Sequence, residues 1–173
     1  MPVGLLGFAI KTILVFLLTF FIISSTDIFR TKNIDGLILH KLKSKIEGFC
    51  GRSGYVIPDS THIVQRSTGT IQTLDGKNVT EFHLTYTVNT IHPKKDDVYE
   101  CIIDSITKMG LIAYLDISGH DTKSSPILFI IPQEYLGEAA LDSFSEGQKI
   151  EVTILEIRVK YRATQIQAVA RLN

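Results

Sequence analysis

The side chains in this chain that could ligate a metal or attack a substrate are two cysteines, Cys50 and Cys101, and five histidines, His40, His62, His83, His92 and His120. Neither set has the spacing such chemistry needs. No CxxC or HxxxH accompanies the cysteines, so they do not make a zinc site alone. Two are too few for a disulfide-stapled scaffold, and they read as free, half-buried thiols. No two histidines sit at ligand spacing, and they read as surface or half-buried side chains. The chain also lacks GxxxxGK[ST], GxSxG, HExxH and GxGxxG, which cradle phosphate, present a nucleophile, hold zinc or seat a dinucleotide. The expectation is a binding protein with no catalytic residue, no metal, no cofactor and no small-molecule substrate.

Two groups of residues suit binding. In 152–162, strand alternation puts Arg158, Lys160 and Arg162 on one face and Ile157, Val159 and Tyr161 on the other. Three cations on one face suit phosphates. The same pattern describes the solvated edge of a hairpin, and both readings stand. Tyr114 shares a face with Asp116 rather than with Leu115 and is the stacking candidate, whereas Phe129, between Leu128 and Ile130, reads as core. The second group is the glycine-rich stretch Gly48, Gly51 and Gly54, where the backbone can take conformations other residues resist. By itself that stretch is a tight turn.

The elements that carry these residues follow from periodicity. Apolar residues are 45% of the 173 and charged residues 21%, which is globular usage. Eighteen basic and eighteen acidic side chains cancel, so there is no global pull toward nucleic acid. The halves differ: residues 1–95 hold 11 Lys/Arg against 6 Asp/Glu (+5), and residues 96–173 hold 7 against 12 (−5). Residues 31–46 read as a helix capped by Asn33, with Ile34, Leu37, Ile38, Leu42 and Ile46 on one face. Period two then takes over. Tyr55–Ile57 is a short strand, and a second runs from His62 through Ile71. Asp75-Gly76 is a hairpin turn, and in the strand after it Phe82, Leu84, Tyr86 and Val88 share a face. The segment 93–97, Pro-Lys-Lys-Asp-Asp, breaks the pattern. Beyond it come strands at 98–108, 111–117, 127–131, 150–161 and 164–172, with a helical piece at 133–141. That is the order of a five-stranded OB barrel. The fold class is therefore α+β/all-β: one helix on an antiparallel sheet, followed by an OB-fold barrel.

The first 24 residues admit three readings. Thr12–Ile23 is an uncharged apolar run of 12 residues, short of the roughly 20 a spanning helix needs. Counted from Pro2 with Lys11 snorkelling, it makes a membrane anchor. A signal peptide is the second reading, which the sequon Asn78-Val79-Thr80 would suit. The third is a buried strand, favoured by the Val, Ile and Phe content. We expect a strand at Phe16–Ser24 that does not cross a bilayer, preceded by an apolar extension, residues 1–14.

The residues Val98–Ala113 (VYECIIDSITKMGLIA) resemble the opening of a ribosomal S-one-type OB domain, and Gly147–Ile157 (GQKIEVTILEI) resembles its fourth strand. Upstream, Leu42–Ile57 (LKSKIEGFCGRSGYVI) resembles the K-x-x-x-E-G-x-C…G-Y-V-I stretch of the RNA polymerase stalk subunit, the subunit-seven family of nuclear and archaeal enzymes. The Phe82–Val88 strand, the x-P-x-x-x-x-V linker at Pro93–Val98 and the closing Ile166–Leu172 match in order, so the resemblance covers about residues 20–173. It implies an N-terminal core-docking domain at 15–92, a linker at 93–97 and an RNA-binding OB domain at 98–173. It implies a tip of Glu47, Gly48, Cys50, Gly51, Arg52, Gly54 and Tyr55 that plugs into the polymerase core, with Arg52 and Tyr55 exposed. It further implies a companion stalk subunit, and weak contact with nascent single-stranded RNA through Lys108, Tyr114, Arg158, Lys160 and Arg162. The family begins with a strand close to its start, so the apolar extension is a departure. Short loops and the end at Asn173 are in the style of a copy encoded by a large DNA virus. That would place the protein in the nucleus, or in a cytoplasmic viral factory or virion, and not among secreted proteins. Two rival classes remain: a free OB-fold factor of translation or RNA decay, which would lack the Glu47-Gly48…Cys50 tip, and a membrane-anchored β-rich protein built on Leu5–Ile23.

Overall fold

The computed structural model describes residues 12–117, 124–137 and 141–173. They form two compact units, one of residues 12–48 with 56–90 and the other of 49–55 with 91–173.

The first unit opens with strand β1 (Thr12–Ser24), helix α1 (Ser25–Arg30) and helix α2 (Ile34–Ile46). The strand begins earlier than expected, so of the extension foreseen at 1–14 residues 12–14 belong to β1, and residues 1–11 lie outside the described residues. Helix α1 escaped the sequence analysis because its six residues are too few to show a period. An ion pair between its Asp27 and Lys41 of α2 holds it. Helix α2 starts where the Asn33 side chain accepts the Gly36 amide at 2.8 Å, which satisfies one of the helix's orphan donors. Its Ile38 and Leu42 are buried against Phe21 and Ile23 of β1 and against Phe82, Leu84 and Val88.

Next in the chain is the hairpin β2 (Cys50–Gly51) and β3 (Gly54–Val56), whose residues up to 55 group with the second unit, followed by β4 (His62–Arg66), β5 (Thr70–Leu74) and the long β6 (Lys77–Ile91). Asp75 and Gly76 both have positive φ, 50° and 73°, the geometry of a tight hairpin matched to strand twist. The single strand expected from His62 through Ile71 is two strands, both paired to β6. The break has a local cause. The Ser67 hydroxyl accepts the His83 amide at 3.0 Å, and this side chain takes the place of a ladder partner.

The second unit holds β7 (Val98–Thr107), β8 (Gly110–Leu115), β9 (Ile127–Pro132), β10 (Lys149–Arg158) and β11 (Ile166–Leu172), closed in the order β10-β11-β9-β8-β7. Strands β9 and β11 run parallel and the other pairs antiparallel, so this is an OB-fold barrel. Phe129 is fully buried, as expected, with its ring 5.8 Å from that of Tyr99. The helical piece foreseen at 133–141 consists of two 3-10 turns, Gln133–Tyr135 and Leu141–Ser143, with 138–140 outside the described residues. Residues 93–97 are no loose tether. Asp96 donates its amide to the Ile154 carbonyl and Ile154 donates to that of Asp97, each at 2.9 Å, so the segment is stitched to β10.

The capping and packing at α2 set the expected cost of single changes. Asn33→Ala should lower unfolding free energy by about 1 kcal/mol. Leu84→Ala, at a fully buried position, should lower it by about 3 kcal/mol. Denaturant titration of the two variants checks both values, and their order is the sharper test.

Candidate nucleic-acid interface

Strand β10 ends at Arg158. The alternation that put Arg158, Lys160 and Arg162 on one strand face therefore does not extend to the last two, which lie in the turn 159–165. Tyr161, expected opposite the cations, is 77% exposed. The turn is tight because Ala163 donates its amide to the Lys160 carbonyl at 3.1 Å and Arg162 takes the left-handed conformation, φ 63°. All three cations are exposed.

What holds this turn is the hairpin β2–β3. Its strands pair Cys50 with Tyr55 and Gly51 with Gly54, leaving Arg52 and Ser53 as the connection. The Cys50 amide donates to the Ala163 carbonyl at 2.7 Å, and the Arg162 amide donates to the Cys50 carbonyl at 2.8 Å. A backbone strand edge thus receives the β10–β11 turn through reciprocal bonds, as in an antiparallel ladder. The pairing explains why 49–55 belongs with the barrel rather than with the expected domain 15–92. It also sets the exposed Arg52 two residues from the point where Arg162 is anchored, so that Arg52, Arg158, Lys160 and Arg162 share one end of the unit. Local pattern could not show this, because Cys50 and Ala163 are joined by register alone.

The remaining tip residues have other duties. Tyr55 is buried, against the expectation that it would be exposed for a partner, and its hydroxyl pKa is raised by that burial. Cys50 is also buried. Gly54 has φ 112°, and a Cβ there would lie 2.3 Å from the Ile91 carbonyl oxygen, so glycine is required for the hairpin to close. In the other unit, Gly48 donates to the Val56 carbonyl at 3.0 Å. The Glu47 carboxylate accepts the amides of Asp59 and Thr61 at 3.0 and 3.1 Å, while Lys43 reaches Asp59 at 3.0 Å. Glu47 braces the 57–61 loop, and its carboxylate is already engaged there.

Lys108 is exposed in the β7–β8 turn, and Tyr114 is half-buried on β8 with Ile102 and Leu128 as its cross-strand neighbours. Neither lies on the hairpin β2–β3 or on the turn that it receives. Lys149 is engaged with carboxylates, at 3.1 Å from Glu100 and 3.7 Å from Asp116. Burial pushes the Cys50 thiol up to about 11 and the Cys101 thiol to about 12, so both are protonated and poor nucleophiles near neutral pH. Among the described residues no three His, Cys, Asp or Glu side chains are grouped to hold a metal ion.

No protein-family model and no curated protein matches this chain. A solved structure of an uncharacterized protein from Methanocaldococcus jannaschii is similar at 14% identity over 45% of this chain and 92% of that chain, with a TM-score of 0.35. Among the described residues no helix is long and apolar enough to cross a membrane.

The two tip glycines differ in what they tolerate. Gly54→Ala must enter the left-handed region and displace the Ile91 carbonyl, and should cost at least about 2 kcal/mol. A Cβ at Gly51 meets nothing closer than 3.9 Å, and Gly51→Ala should change stability by less than about 1 kcal/mol. Thermal melts of both variants check the contrast.

Proposed function

We propose that this protein is a non-catalytic stalk subunit of a multisubunit DNA-directed RNA polymerase, whose OB barrel contacts the emerging transcript. The resemblance of Leu42–Ile57 and of the barrel strands to the subunit-seven family supports the reading. So does the architecture, a helix-on-sheet unit followed by an OB barrel. The observation that carries the RNA part is the backbone pairing of Cys50 with Arg162 and Ala163, which gathers four exposed cations at one end of the barrel. OB barrels bind single strands through a basic track beside aromatic platforms, and Tyr161 is the exposed ring within this track. Tyr161 replaces Tyr114 as the nearer stacking candidate, because it lies on the same turn as Lys160 and Arg162.

In this reading the polymerase core and a companion stalk subunit are the protein partners. The compartment is wherever that polymerase works, the nucleus or a viral factory. The C-terminal half carries a net −5, so RNA affinity rests on this one end and is weak and salt-sensitive. A free RNA-binding factor would use the same cations without a polymerase.

Two measurements test the proposal. Replacing Arg158, Lys160 and Arg162 with Ala should weaken single-stranded RNA binding. It should also reduce the salt slope by about 0.7 log unit per lost phosphate contact, or roughly 2 in all. An unchanged affinity and slope would mean these side chains are merely solvated. The tagged chain, purified from the cells or infected cells that express it, should bring down the large polymerase subunits. RNA binding without those subunits would favour the free factor.

A further inference from the structure

Strand β1 presents an unusual outward face. Its inward side chains Phe21 and Ile23 are buried, while Leu14, Phe16, Leu18, Phe20 and Ile22 are 58%, 66%, 82%, 67% and 48% exposed. Along Thr12–Ser24 there is no charged residue. The next strand, β6, turns polar groups to the same side: His83 meets the Phe20 ring edge-on at 4.5 Å and lies 3.6 Å from Glu81. The result is a single apolar stripe with a polar margin, the anatomy of an interface core and rim. Among the described residues β1 pairs with β6 alone.

We propose that the occupant of this stripe is a second copy of the chain, with the two β1 strands stacked face to face and antiparallel about a twofold axis at Leu18. Three features select a copy over other partners. Read in either direction from Leu18, the stripe gives Phe and then a branched aliphatic: Phe16 and Leu14 one way, Phe20 and Ile22 the other. An isologous contact needs such self-complementarity, because residue i of one copy must fit residue j of the other and the reverse. In the stack Leu18 meets its own counterpart, Phe16 meets Phe20, and Leu14 meets Ile22. Secondly, the stripe has no charge, so nothing repels an identical face or steers a charged ligand to it.

The third feature is area. A phenylalanine offers about 200 Å², so two of them two-thirds exposed and three aliphatics give on the order of 600 Å² per copy, the upper end of what monomers leave bare. Two copies bury about 1,200 Å² in total, the small end of specific interfaces. The dimer is thus concentration-dependent. It stands independently of the polymerase reading.

The test uses the full-length chain in sedimentation velocity over a roughly hundredfold concentration range. Mass should rise from monomer toward dimer and stop there. Leu18→Asp, at a side chain that contributes nothing to the core, should raise the dimer dissociation constant at least about tenfold. Leu18→Cys places a thiol on the axis and should form an intermolecular disulfide under mild oxidant, since Cys50 and Cys101 are buried. Leu14→Cys faces Ile22 of the other copy and should cross-link several-fold less. The proposal is overturned by a monomer at every concentration, by growth past the dimer, or by equal cross-linking at positions 14 and 18. It is also overturned if Leu18→Asp abolishes binding to neutral phosphatidylcholine vesicles while the unaltered chain stays monomeric in solution.

Discussion

The candidate interface depends on two reciprocal backbone hydrogen bonds, Cys50 to Ala163 and Arg162 to Cys50. Each contributes on the order of 1 kcal/mol net, a small amount beside the burial of the barrel. Their importance is positional. They join a hairpin early in the chain to a turn near its end, and they fix Arg162 in a left-handed conformation that a free loop would sample only rarely. Gly54 is the condition for that arrangement, because any side chain there would meet the Ile91 carbonyl. Cys50 and Tyr55, a cross-strand pair of the same hairpin, are both buried. The thiol of Cys50 acts here as a small apolar group, and its raised pKa is a consequence of that burial.

Rigidity matters for a cationic site. The backbone pairing fixes the path of the turn that carries Arg162 beside the hairpin that carries Arg52. The anchor uses main-chain groups only, so the exposed side chains of Arg52 and Arg162 take no part in it. The anchor also separates the roles of residues that look alike in the sequence. Glu47 and Arg52 sit five positions apart, yet Glu47 spends its carboxylate on the amides of Asp59 and Thr61, whereas Arg52 projects from the hairpin connection.

Much of this was legible in the sequence wherever a period was long enough to read. The alternation through Phe82, Leu84, Tyr86 and Val88 put the right side chains in the core, Asn33 marked the start of α2, and the five strand-like segments gave the OB order. What failed were extrapolations of local pattern across a break. Alternation stops at Arg158, where the chain enters a turn and period two has no meaning. The sequence suggests a continuous strand from His62 through Ile71 because Ser67 gives no local sign that its hydroxyl takes an amide from β6. The apolar character of 12–24 was plain, but its division into a buried face and a bare one depends on which strand lies beside it. The pairing of Cys50 with Ala163 was illegible for the same reason: register between distant segments is set by the whole fold.

The central claim, that the hairpin and the β10–β11 turn make one RNA-facing site, is tested most directly by amide hydrogen exchange with and without a short single-stranded RNA. The account predicts that the Cys50 and Arg162 amides are protected in the free protein. It also predicts that added RNA slows exchange in 49–55 and 158–165 together. Fast exchange at those two amides, or RNA protection confined to a different face of the barrel, would contradict it.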